Sequence, residues 1–204
     1  MSTALLTSTY FGPVQWYQKL YRYDHCQIEQ YDHFQKQTYR NRCRIATANG
    51  SQVLTVPVER TEGKCLMRDV RISDHGAWRH LHWNALQSAY GESPFFEFYA
   101  DDLRQFFERR WDFLFDFNME ITNKVCELLD IQPNLARTSE YLHIDNSPSF
   151  SDFREVIHPK HPLPDTDFEP RPYYQQYASR HGFQPNLSIL DLLFNEGNEA
   201  IFFL

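Results

Sequence analysis

The sequence predicts an α/β protein: a small mixed sheet with an N-terminal βαβ unit and a β-hairpin, followed by a mainly helical C-terminal part. Three observations carry this. Two short strand-like runs, residues 3–8 (TALLTS) and 25–30, flank a segment that opens with Pro13. The pair Asn49-Gly50 lies between RCRIATA and SQVLTVPV. Residues 98–131 contain neither glycine nor proline.

Pro13 suits the first turn of a helix, where its missing N–H costs nothing. Val14, Tyr17 and Leu20 then recur every three residues on one face, and the helix is expected to run to about Tyr21. A strand–helix–strand unit of this kind favours a parallel pair with a right-handed crossover. Asn-Gly is a strong short-range hairpin signal, so residues 42–58 read as two antiparallel arms, with Pro57 near the end of the second. A further strand is expected at 69–72 (DVRI). In residues 77–90, Trp78, Leu81, Ala85, Leu86, Ala89 and Tyr90 form a helical stripe, with Ser73 or Asp74 as cap and Gly91 as the stop. Trp111, Leu114, Phe117, Ile121, Val125 and Leu128 keep helical spacing within one or two long helices. Residues 148–172 hold six of the eleven prolines and read as an extended surface loop. Ser188-Ile-Leu-Asp191 resembles a capping box, with Gly197 ending its short helix. The two parts, 1–74 and 75–204, are expected to form a single domain around one core.

Composition narrows the function. The net charge is −7, with 11 Lys/Arg and 9 Asp/Glu in residues 1–100 but 9 and 18 in residues 101–204. That balance argues against nucleic-acid binding and leaves room for a local anion site in the first half. No apolar stretch reaches the ~18 residues of a membrane span, and the N-terminus lacks the basic start of a signal peptide. Cys26, Cys43, Cys65 and Cys126 match no zinc spacing and read as reduced thiols of a cytoplasmic protein. No metal site is expected, and the sequence names no cofactor and no oligomeric state. The common phosphate-loop, dinucleotide, zinc-protease and nucleophile-elbow motifs are absent from the sequence.

The candidate functional residues are therefore isolated ones. Lys36, Arg40, Arg42 and Arg44 place four cations in nine residues, and guanidinium forks grip phosphates and carboxylates bidentately. Arg42 and Arg44, two apart, share one face of a strand. Asn41 can orient a polar ligand; the alternative for the whole run is solvated charge. Tyr10 lies in a loop between a strand and a helix start, where anions bind well, or else it packs in the core. His82 falls on the apolar stripe with Trp78, either as a satisfied core histidine or as a proton carrier. His80 and His82 point to opposite sides of their helix. His158 and His161 read as surface residues. Asp112, Asp116 and Glu120 are spaced by four and read as a solvated face.

Tyr10-Phe11 after a strand, Asn41-Arg42 before the hairpin, Leu54-Thr-Val-Pro-Val58, Asp69-Val-Arg-Ile72, Trp78 with His82 and Tyr90, and Pro94-Phe95-Phe96-Glu97 together resemble the WbqC-like family over most of the chain. Its members are mostly bacterial and often accompany surface-polysaccharide (O-antigen) genes. The resemblance implies a transferase, with amino-acyl (glycine) transfer to a sugar as the reaction class. Members commonly open with a strand ending H-Q-P-x-Y. Here Leu6-Thr-Ser-Thr-Tyr10 keeps only the tyrosine, and the family's later tryptophan is displaced to Trp16. If that histidine is catalytic, this chain lacks it.

Two functions follow as expectations. In the first, an anionic small-molecule substrate or donor is held by Arg42 with Lys36 or Arg44, oriented by Asn41 and Tyr10, with His82 as general base. In the second, the chain is a non-catalytic ligand- or protein-binding member of the same family.

Overall fold

The computed structural model describes residues 1–60, 62–143 and 150–204; Pro148 of the proline-rich run lies outside them. The architecture is a mixed one, as the sequence predicts. Strands β1 (Thr3–Thr7) and β2 (His25–Glu29) flank helix α1 (Val14–Arg22) and pair in parallel. β3 (Arg42–Thr47) and β4 (Gly50–Thr55) form the antiparallel hairpin. Helices α2 (Trp78–Tyr90), α3 (Phe96–Glu108) and α4 (Leu114–Leu128) follow, and α5 (Ala178–His181) and α6 (Ile189–Glu196) lie near the C-terminus.

Two strands were invisible in the sequence. β5 (Leu135–Arg137) pairs with β2, and β6 (Phe150–Asp152) pairs with β1, giving a four-stranded parallel sheet in the order β5-β2-β1-β6. Each is only three residues long, too short to show a period. The expected loop at 148–172 therefore contains an edge strand.

Other local expectations shift. Thr47 pairs with Gly50, so the hairpin turn is Ala48-Asn49 and Gly50 follows it at φ 109°. Asn49 keeps a negative φ, and the glycine alone supplies the left-handed backbone the turn needs. The 69–72 strand does not form. A 3₁₀ turn covers Met67–Asp69, and Ile72 and Arg71 make single bridges to Val58 and Phe113. α2 starts after a 3₁₀ turn at His75–Ala77 with no side-chain cap, in place of Ser73 or Asp74. Ser188 caps α6 by accepting from the Leu190 amide, but Asp191 turns away from the cap.

One apolar cluster joins both halves, from Ala4 and Ile28 of the sheet to Phe117, Ile121 and Leu204. Phe11 of the loop after β1 stacks on Phe107 of α3 at 6.0 Å, and Tyr10 stacks on Phe117 of α4 at 5.8 Å. The proline-rich segment is fastened over α1. Lys19, 1% exposed, reaches Asp165 at 2.8 Å, and the Gln15 amide donates to the same carboxylate oxygen at 2.8 Å. This strap explains why Gln15, Gln18 and Lys19 are buried on a helix whose inner face alone is apolar. Among the described residues, no helix is long and apolar enough to cross a membrane.

Candidate functional site

The loop after β1 delivers Tyr10 into the interior, its amide donating to the Tyr39 carbonyl at 2.9 Å. The Tyr10 hydroxyl lies 2.8 Å from His82 Nδ1, and both side chains are buried. Burial pushes the His82 pKa down to about 4, against a backbone hydrogen bond to Thr55 that favours the charged ring. That bond is a donation from the imidazole to a carbonyl, so the neutral ring offers Nδ1 as acceptor for the tyrosine O–H. Burial and the Cys43 thiol raise the Tyr10 hydroxyl well above the usual phenol range. At neutral pH the pair is an uncharged donor–acceptor unit.

Thr55 pairs with Arg42 across the hairpin, so His82, Thr55 and Arg42 are consecutive neighbours. Arg42 and Arg44 share one half-buried face of β3, as expected, while Cys43 and Ile45 face the core. Arg44 is spent on the Pro185 carbonyl at 3.0 Å. The Asn41 amide donates to the Val56 carbonyl at 2.9 Å, which fixes the hairpin's entry. The structure thus gathers Tyr10, His82, Asn41 and the start of β3. Lys36 stands apart, exposed on the rim of a different cavity.

Sequence reasoning passed over a polar crevice at the sheet. In open parallel sheets, ligands sit beyond the carboxyl ends of the strands, where neighbouring connections diverge. β1 connects to β2 on one side, and β6 returns to pair on the other. A crevice of about 410 Å³ lies just past these ends, lined by Tyr31, Asp32, Gln35, Tyr141, Asp152, Arg154, Glu155 and His33. Its foundation is a buried polar set. Glu29, wholly buried at the end of β2, accepts from the Tyr31 and Leu142 amides at 2.9 and 3.0 Å and from the Thr138 hydroxyl at 2.9 Å. Arg154 approaches Glu29 at 3.4 Å, forks onto both Asp152 oxygens and lies 4.9 Å above the Tyr141 ring. Asp32 pairs with the buried guanidinium of Arg40. Burial raises the Asp32 carboxyl above its ordinary range, and Arg40 offsets only part of that rise. Asn118 of α4 donates to the Arg40 carbonyl at 2.8 Å and to the Ser8 hydroxyl at 3.2 Å, linking this foundation to the loop that carries Tyr10.

Arg154 is paired with Asp152 and Glu29 and Arg40 with Asp32, so carboxylates outnumber cations in and beneath the crevice, and Glu155, which accepts from the Gln35 amide at 3.0 Å, stands without a cation beside two tyrosine rings. Such a lining suits hydroxyl- or amine-bearing ligands better than anions. The signal for it was present in part: Glu29 ends, and Asp32 follows, a strand of the βαβ unit. Arg154 had no signal, because the strand just before it could not be read. His80 is exposed and His82 buried on opposite sides of α2, Asp112, Asp116 and Glu120 are exposed and His161 is at the surface, as expected, whereas His158, read as a surface residue, is half-buried beside it. Among the described residues no group of three or more His, Cys, Asp or Glu is placed to hold a metal ion, and all four cysteines are free.

The sequence model of the WbqC-like protein family matches residues 8–158 and 163–202. A Mycobacterium tuberculosis protein, described as the uncharacterized protein Rv1507c, is 31% identical over 197 residues, covering 83% of this chain and 84% of the relative. No solved structure matches. The chain belongs to the WbqC-like protein family.

Proposed function

We propose that this WbqC-like chain is a transferase of surface-polysaccharide (O-antigen) biosynthesis, moving an acyl group such as glycyl from an anionic donor to a sugar, on the cytoplasmic side. The observation that carries the reading is the crevice at the strand ends, where carboxylates and tyrosine faces stand together. Carboxylates accept sugar hydroxyls, and flat rings cover the C–H faces of pyranoses. The acceptor sugar is assigned to this crevice. Arg42 remains the donor-side contact of the reading, held in place by Asn41 and beside an Arg44 already bonded to the Pro185 carbonyl, with Tyr10 as the orienting hydroxyl and His82 as a neutral proton acceptor acting through Tyr10.

The burial of Tyr10 and His82 favours a second reading, in which the protein binds a ligand without catalysis. A thermal-shift screen separates the two. Neutral and amino sugars, nucleotide-sugars, acyl-CoA, and ATP with glycine would be tested against wild type and Glu155→Ala, an exposed crevice position. A ligand at about 100 times its dissociation constant adds about 2.7 kcal/mol. A sugar-induced shift lost in Glu155→Ala supports the crevice as acceptor site, and product formation from a donor then supports transfer. A sugar shift with no turnover favours the binding reading, and silence from every ligand removes the crevice assignment.

A further inference from the structure

Residues 33–35 run alongside the chain at 65–66, with His33 bridged to Leu66 and the Phe34 amide donating to the Cys65 carbonyl at 2.9 Å, and a turn opens at Lys36. Alternate side chains of such a segment point to opposite sides. His33 and Gln35 face the crevice, and Phe34 and Lys36 face a second cavity of about 500 Å³. That volume lies within the usual range of small-molecule sites.

The second cavity has the opposite chemistry. Its floor is apolar, from Phe34, Val58 and Val70, and its rim carries Lys36, Arg60 and Lys64. All three cations are exposed and form no ion pair or hydrogen bond among the described residues. The rim's one carboxylate, Glu59, is already turned toward Arg71 at 3.9 Å. Three cations without an ion pair among the described residues thus line one concave surface of a chain whose net charge is −7. A single carboxylate would engage one of them. A group with several anionic oxygens engages all three, with the Arg60 fork able to bind two oxygens at once.

We propose that this pocket binds a phosphate-bearing small molecule, with Lys36, Arg60 and Lys64 on the phosphoryl oxygens and its organic part on the Phe34–Val58–Val70 floor. The proposal goes beyond the transferase reading, because it rests on this pocket's own geometry and holds even if the crevice binds nothing. The confinement of the cations to one cavity distinguishes the site from a nucleic-acid surface, which needs a continuous basic face.

Cys65 provides the reporter. It lines the pocket and is partly exposed, whereas Cys26, Cys43 and Cys126 are buried. The full-length protein would be alkylated with iodoacetamide, and Cys65 modification followed by peptide mass, with ADP and pyrophosphate as probes and sodium chloride at matched ionic strength as control. At about nine-tenths occupancy, ADP should slow Cys65 alkylation roughly tenfold. The double variant Arg60→Ala/Lys64→Ala, exposed at both positions, should lose the protection, its rate with each probe equalling its own rate without one. An unchanged rate with both probes overturns the proposal. So does protection that persists in the double variant, or that chloride reproduces.

Discussion

Two cavities, separated by the thickness of one chain segment, carry opposite charge. On the His33–Gln35 side the arginines are consumed: Arg154 by Asp152 and Glu29, Arg40 by Asp32. On the Phe34–Lys36 side Lys36, Arg60 and Lys64 form no ion pair among the described residues, and the lining's one carboxylate, Glu59, faces Arg71. The difference teaches that counting basic residues along a sequence does not locate an anion site. Lys36 and Arg40 belong to one run of four cations, yet one is free at a rim and the other is locked beneath a crevice. What decides is whether the fold supplies a carboxylate within reach.

The comparison can be broken most severely at Asp32. Asp32→Ala leaves the buried Arg40 guanidinium without its partner and should cost about 3–5 kcal/mol, read by urea denaturation. Asp32→Asn, which keeps an oxygen acceptor, should cost less than the alanine. A loss under about 1 kcal/mol in both would mean that the crevice does not rest on a buried pair.

The next effect concerns the neutral pair behind the crevice. Because the folded-state pKa of His82 lies at about 4, below the ordinary value of 6.5, the unfolded chain takes up a proton first as pH falls. The stability this neutral histidine contributes is intact above pH 6.5 and is lost progressively down to pH 4, by about 3 kcal/mol at most. His82→Gln should lower stability at pH 7 yet flatten the slope between pH 6.5 and 4, measured by urea midpoints across that window. An unchanged slope would show that His82 takes up its proton as readily in the fold as in the unfolded chain.

Glu155→Ala and Lys64→Ala sharpen the comparison with the least disturbance. Both positions are exposed, so stability should change by less than about 0.5 kcal/mol in either case. Their ligand effects should be reciprocal: the first removes the sugar-induced thermal shift and spares ADP protection of Cys65, and the second weakens that protection and spares the sugar shift. A variant that abolishes both would show that the two cavities act as one site.

Much of the fold was legible because it depends on local signals. Pro13 and the three-residue spacing of Val14, Tyr17 and Leu20 announce α1, and the stripe through Trp78 and His82 announces both α2 and the burial of that histidine. DVRI misled because a β-rich composition does not make a strand without a partner that stays alongside; here each neighbour offers a single bridge. β5 and β6 were illegible for the converse reason. Three residues carry no period, and only the open edges of β2 and β1 make them strands.

The amino-acid order by itself determined the elements whose stabilising contacts lie within a helix or a hairpin, and with them the family resemblance. The tertiary structure alone decided that a strap of prolines would fold over α1, that an edge strand would carry Arg154 to Glu29, and that alternate residues of a four-residue segment would face cavities of opposite charge. The first two outcomes rest on contacts between residues more than 100 positions apart, Glu29 with Arg154 and Lys19 with Asp165, and the third on the pairing of His33 with Leu66. Local periodicity does not register such contacts, because the free energy that selects them arises only once the chain has brought both partners out of water.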